Sequence, residues 1–105
     1  MDETFELPGL AFEWNADKAR TNEGTHGKLG HGVSFEEAAT AFMDSVSIEF
    51  PDDEHSEEEI RSYLLGRDVS GQLLRVSFTE REGRIRIFSA RRADNYDERQ
   101  YVTGY

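Results

Sequence analysis

The sequence predicts an α+β domain, and three stretches carry that expectation. "QLLRVSFTE" and "RIRIFSARR" alternate in character and flank Arg81-Glu82-Gly83, the signature of a β-hairpin turning at Glu82-Gly83. Ser34 with Glu37 three residues on makes a capping box, and Phe35, Ala38, Ala39 and Phe42 follow at helical spacing. "SVSIEF" (45–50) alternates strictly and stops at Pro51, as a strand does.

Taken in order, residues 1–9 read as a flexible acidic segment and 10–105 as a single domain. "LAFEWN" (Leu10 to Asn15) is a first strand, and the Asn15 side chain then caps a short helix, "ADKARTN". Glycines 24, 27, 30 and 32 end that helix, and Phe35 to Met43 forms the next. After the strand at 45–50 and an acidic turn, Arg61 to Arg67 is a further strand. The hairpin follows, and residues 94–101 close as a helix capped by Asp94.

A two-residue hairpin turn sets Arg81 against Arg84, Thr79 against Arg86 and Ser77 against Phe88. Leu74, Val76, Phe78, Ile85 and Ile87 then share a core face, with Phe42 and Trp14 expected in the same core. Arg75, Arg81, Arg84 and Arg86 lie on the opposite face with Ser77 and Thr79. Four arginines and no acid fit an anion-binding surface, or a solvated face balanced by acids from elsewhere. The same alternation sends Arg91 to the core-facing side near the strand end.

The charge is unevenly spread. Across 105 residues the net charge is −10, which by itself opposes nucleic-acid binding. Residues 1–60 hold only Lys18, Arg20 and Lys28 as bases against 16 acids, whereas 75–92 set Arg75, Arg81, Arg84, Arg86, Arg91 and Arg92 against Glu80 and Glu82. A local basic cluster can outweigh the net charge. The absence of cysteine excludes disulfides and thiolate metal sites. No apolar run reaches membrane-spanning length and residues 1–12 lack a signal-peptide pattern, so a soluble cytoplasmic protein is expected.

"GTHGKLGHGVSFEEA" raises the question of a phosphate loop. That motif needs Gly-Lys followed by Ser or Thr, but Gly27-Lys28 is followed by Leu29, and Asn22 stands where the first glycine belongs. His26 and His31 lie five apart in a glycine-rich loop, and the acidic run from Asp52 to Glu59 lacks calcium-loop spacing. No metal and no cofactor are expected.

"FEWNADKARTN", "HGVSFEEAATAFMD", "DDEHSEEEIRSYLLGR" and "GQLLRVSFTEREGRIRIFSARRA", with a closing tyrosine-bearing segment, resemble the BrnT family of type II toxins over about residues 11–101. The resemblance implies a RelE-like fold, an antiparallel sheet with helices on one face. It also implies ribonuclease activity and neutralisation by a BrnA-type antitoxin, a ribbon-helix-helix DNA-binding protein, commonly two of each. Against the family pattern, "EGTHGKLG" inserts ahead of His31, and Gly30 stands where a lysine is expected, with Lys28 as its substitute. The chain is also unusually acidic, and "DNYDERQY" keeps only Arg99 where the family's last helix is basic.

Under that activity, RNA cleavage without metal needs charge on the phosphate and groups that move protons. Arg75, Arg84, Arg86 and Arg92 are the expected phosphate contacts, with Arg81 and Arg91 at the transition state. His31 or Lys18 moves protons, and Tyr101 is a further candidate. Arg91 and Arg92 pairing with Glu36 and Glu37, and His31 orienting the helix entry, are the structural alternatives. A working site also requires that Glu80, Glu82 and the acids at 52–59 leave these arginines uncovered. The alternative function is a non-catalytic protein that keeps the toxin fold and antitoxin binding.

Overall fold

The computed structural model describes residues 1–24, 31–56 and 59–104. Among them the chain forms β1 (Asp2–Leu7), β2 (Leu10–Asn15), α1 (Ala16–Glu23), and α2 (Phe35–Thr40) with a 3₁₀ turn after it (Ala41–Met43). Then come β3 (Ile48–Pro51), a 3₁₀ turn (Asp53–His55), β4 (Ser62–Arg67), β5 (Leu73–Arg81), β6 (Arg84–Arg92) and α3 (Asn95–Thr103). The strands make one sheet in the order β1-β2-β6-β5-β4-β3, antiparallel everywhere except β2–β6. The α+β class is as the sequence predicts. So is the hairpin turn, where Glu82 and Gly83 have φ of 53° and 79°, the primed geometry that follows strand twist.

Residues 1–9 depart from the expectation of a flexible segment. Asp2–Leu7 pairs with β2 along its whole length, from Asp2↔Asn15 to Leu7↔Leu10. Its acids mask a short alternation in which Phe5 and Leu7 pack against the core. Glu3 accepts a hydrogen bond from the Trp14 indole at 3.0 Å. β1 is an edge strand, where charge discourages pairing with other chains. β3 likewise begins at Ile48 rather than Ser45, because Asp44 takes the chain into a turn by accepting from the Val46 and Ser47 amides.

Trp14, Phe78 and Ile87 are buried with Phe12, Phe35, Leu74 and Val76, while Phe42 and Ile85 pack half-buried against them. α2 and its 3₁₀ turn cover this inner face. A Cβ at Gly66 would stand 2.6 Å from the Ala41 carbonyl oxygen, so glycine lets the turn lie directly on β4. α3 lies on the other face, because its Asp97 bonds Arg75, which alternates with the buried Leu74 and Val76. The helices therefore occupy both faces rather than one. A polar helix underside, matched to arginines, selects the polar face of the sheet.

The hairpin register holds from the turn up to Thr79↔Arg86 and Phe78↔Ile87, then shifts so that Ser77 pairs with Ser89 instead of Phe88. Phe88 is the extra residue of a β-bulge, and the parity of β6 flips beyond it. Arg91 consequently turns away from the core and stands opposite Arg75. The sequence has no marker for this bulge, which corrects the core-side placement expected for Arg91.

β2 pairs with β6 only at Phe12↔Ile85 and Glu13↔Arg86. Beyond that, α1 continues alongside β6 and a side chain replaces the missing strand. The buried Asn22 carboxamide accepts from Ala90 N at 3.1 Å and donates to Ala90 O at 2.7 Å and to Val33 O at 2.8 Å. Asn22→Ala leaves these buried backbone groups unpaired, so it is expected to lower unfolding free energy by roughly 2–4 kcal/mol. Urea unfolding reads this as a lower midpoint at unchanged slope; an unchanged midpoint contradicts it.

Candidate nucleic-acid interface

The outer face of the sheet carries the arginines in three different states. Nearest α3, Arg75 Nη1 and Arg91 Nη1 donate to the two oxygens of Asp97 at 3.1 and 2.8 Å. Asp97 is fully buried and also accepts from the Asp94 amide, completing the capping box that starts α3. Arg91 reaches Asp94 at 3.8 Å as well. Its carboxylate partners are thus on α3, not Glu36 and Glu37 of α2.

At the far end of the face, Arg86 is held by Asp2 at 3.0 Å and Glu13 at 2.7 Å. The bond to Asp2, opposed by burial and reinforced by Glu13, raises the Arg86 pKa above its ordinary value. Arg81 pairs with Glu59 at 2.9 Å, so one acid of the 52–59 turn does cover a predicted contact. Glu80 and Glu82 do not pair with the hairpin arginines. Arg84 and Arg92 are exposed, and neither forms an ion pair among the described residues.

The middle of the face is different. Lys18 from α1 and Arg61 at the start of β4 both lie over the Phe88 ring, with Nζ 5.3 Å and Cζ 3.9 Å from its centroid. Neither cation forms an ion pair among the described residues. Phe88, half-buried on the outer face, therefore fixes two cations on an aromatic ring, each contact worth about 0.5–2 kcal/mol. Ser77 and Ser89 pair beside them, half-buried. Sequence reasoning singled out Lys18 but not Arg61 or Phe88; Arg61 was legible as an outward residue two positions before Tyr63.

His31 is exposed, and its backbone amide donates to Asn22 O at 2.9 Å. That bond brings it to the flank of α1, one helical turn from Lys18. Tyr101 is elsewhere. Its hydroxyl donates to Asp44 at 2.6 Å while the Arg67 guanidinium lies 5.4 Å from its ring. Burial, with the bond to Asp44, raises the Tyr101 pKa, so the phenol keeps its proton. Tyr101, Arg67 and Arg92 line a groove of about 540 Å³ between α3 and the β4–β5 turn. The structure thus joins Arg75 and Arg91 through Asp97 and puts Arg92 and Tyr101 in one groove, while His31 is tied to Asn22 and not to Lys18, and it does not gather all of these residues at one point.

Among the described residues no group of three or more His, Cys, Asp or Glu side chains is placed to hold a metal. No helix is long and apolar enough to cross a membrane. The inserted 24–30 loop, with His26 and Lys28, lies outside the described residues except for Gly24. A family model described as "Ribonuclease toxin, BrnT, of type II toxin-antitoxin system" matches residues 14–97, and the chain belongs to that family. No curated protein matches it.

Asp44 ties α3 to the rest of the domain and gives a pH-dependent test. Burial raises its pKa, but bonds from Tyr101 OH and the Arg67 and Val46 amides outweigh this and hold it below the ordinary carboxylate value. A depressed folded pKa contributes stability above the unfolded value, about 4, that is lost as pH falls through the folded one. Melting temperature measured from about pH 6 to 3 is expected to fall less steeply in Asp44→Asn than in the parent. Parallel slopes contradict this.

Proposed function

We propose that this member of the BrnT family is the toxin of a type II pair, a metal-independent endoribonuclease that cleaves mRNA in the cytoplasm. A BrnA-type ribbon-helix-helix antitoxin neutralises it in a 2:2 complex. The observation that carries the RNA reading is the pair Lys18 and Arg61 on the Phe88 ring, two cations without acidic partners among the described residues on a sheet face of an acidic protein. Held on one ring, they have a fixed spacing and little ordering entropy left to lose when phosphates arrive.

Cleavage proceeds by attack of a ribose 2′-hydroxyl on the adjacent phosphate, which forms a 2′,3′-cyclic phosphate and expels the 5′-oxygen of the next nucleotide; that oxygen takes up a proton as the hydroxyl loses one, with no metal required. Arg61 and Arg84 hold phosphates, and Arg92 does so at the groove. Lys18 and His31, which share the α1 flank, move the proton from the hydroxyl and supply positive charge. Tyr101, whose hydroxyl donates to Asp44 away from Lys18 and His31, takes no part in this proton transfer. Arg75, Arg81, Arg86 and Arg91 contribute less phosphate binding than their number suggests, since carboxylates already engage them.

That engagement is the observation favouring the second reading, a non-catalytic protein that keeps the fold and antitoxin binding. Growth of a host expressing the protein alone separates the two. The ribonuclease reading predicts arrest, relief by the antitoxin, and RNA cutting in vitro that survives chelation by EDTA. Lys18→Ala and Arg61→Ala are each expected to lower RNA affinity and to flatten its salt dependence by about one phosphate contact. Arg81→Ala is expected to do less. Normal growth with no RNA cutting, alongside intact antitoxin binding, favours the second reading.

A further inference from the structure

We infer that Arg75 and Arg91 form a further phosphodiester subsite, which α3 closes in this structure with the Asp97 carboxylate. The inference deepens the RNA-binding reading and rests on it. Two guanidiniums each take one oxygen of Asp97, at 3.1 and 2.8 Å, as they would take the two non-bridging oxygens of a phosphodiester. The exchange of one anion for another leaves the charge on the arginines balanced.

α3 is built for release. A helix docked permanently on a sheet buries an apolar stripe, whereas the buried residues of α3 are Asp97 and Gln100. Gln100 accepts from Tyr63 OH at 3.1 Å, and Tyr101 donates to Asp44 at 2.6 Å. Buried polar contacts of this kind contribute less net stability than an apolar interface of the same size, because each group gives up water to form them. α3 is therefore a latch whose own buried groups make exchangeable polar contacts, over a small apolar floor of Tyr63 and Leu65 on β4.

What lies beneath it suits RNA. The Arg75 guanidinium stacks on the Tyr63 ring at 3.6 Å, and Phe50 stacks against Tyr63 at 5.3 Å between centroids. Opening α3 uncovers an aromatic platform with two arginines at its edge, the combination that holds single strands. It also joins the two cationic areas that α3 now separates, Lys18–Phe88–Arg61 on one side and Arg67–Arg92 on the other.

The test is binding of a fluorescent, uncleavable 2′-O-methyl RNA oligonucleotide across a salt series. Asp97→Ala is expected to bind about tenfold tighter than the parent, with a salt slope steeper by roughly one phosphate contact. Glu36→Ala, an equal charge change at an exposed residue of α2 on the other face of the sheet, is expected to gain little. Adding Arg75→Ala to Asp97→Ala is expected to abolish the gain. Tyr63→Phe with Gln100→Leu keeps the ring, replaces the hydrogen bond by apolar packing and is expected to weaken binding by fastening the latch. This double variant decides the matter if Asp97→Ala does not fold. Unchanged or weaker binding by folded Asp97→Ala, an equal gain from Glu36→Ala, or unchanged or tighter binding by the double variant overturns the latch. If the parent binds RNA in those cases, the ribonuclease reading survives; if neither parent nor Asp97→Ala binds RNA, both fall.

Discussion

The structure depends on one side chain, the carboxamide of Asn22. β6 sits between β5 and β2, but β2 leaves it after two paired residues, and α1 fills the space that remains. A helix has no free backbone groups along its side to offer a strand. Asn22 supplies both a donor and an acceptor to Ala90, and its second N–H reaches Val33 ahead of α2. One residue thus closes the sheet and docks both helices of the inner layer. The consequence for function is positional. With Asn22 fixed at Ala90, Lys18 one turn earlier falls beside Phe88, and His31 is held at the Asn22 carbonyl.

The second constraint is charge. An acidic chain that places arginines on one sheet face must either leave them bare or neutralise them, and this protein does both in different places. Acids from β1, β2, the 52–59 turn and α3 neutralise Arg86, Arg81, Arg75 and Arg91. Exposed pairs such as Arg81–Glu59 contribute about 0–1 kcal/mol each, so they yield readily to a competing phosphate. The Asp97 pairs are buried while α3 is docked, so removing one partner alone costs about 3–5 kcal/mol, and they yield only when α3 lifts as a whole and the carboxylate regains water. Among the described residues the middle of the face escapes neutralisation, because Lys18 and Arg61 are set on an aromatic ring instead of a carboxylate.

Much of the fold was legible because local chemistry and tertiary packing agree there. Asn15, Ser34 and Asp94 cap the helices they were expected to cap, and the hairpin turns where its glycine requires. β1 was not legible, since two apolar residues among acids look like a solvated tail until Trp14 is there to cover them. The bulge at Phe88 was not legible either, because an extra residue leaves no compositional trace. That one residue decides where Arg91 points, so the site could be read only in part. The arginine face followed from alternation alone. Its neutralisation did not, because Asp2, Glu13, Glu59 and Asp97 come from elements whose spatial order no local pattern encodes.

The proposed place for RNA is the outer face of the sheet, across β6 and the flank of α1. Photocrosslinking with a 2′-O-methyl RNA carrying 4-thiouridine, followed by peptide mapping, tests it most directly. Crosslinks are expected to concentrate around Phe88 on β6 and Lys18 on α1, and to diminish at high salt as phosphate contacts are screened. Crosslinks confined to α2 or to the acidic 44–56 segment would contradict it.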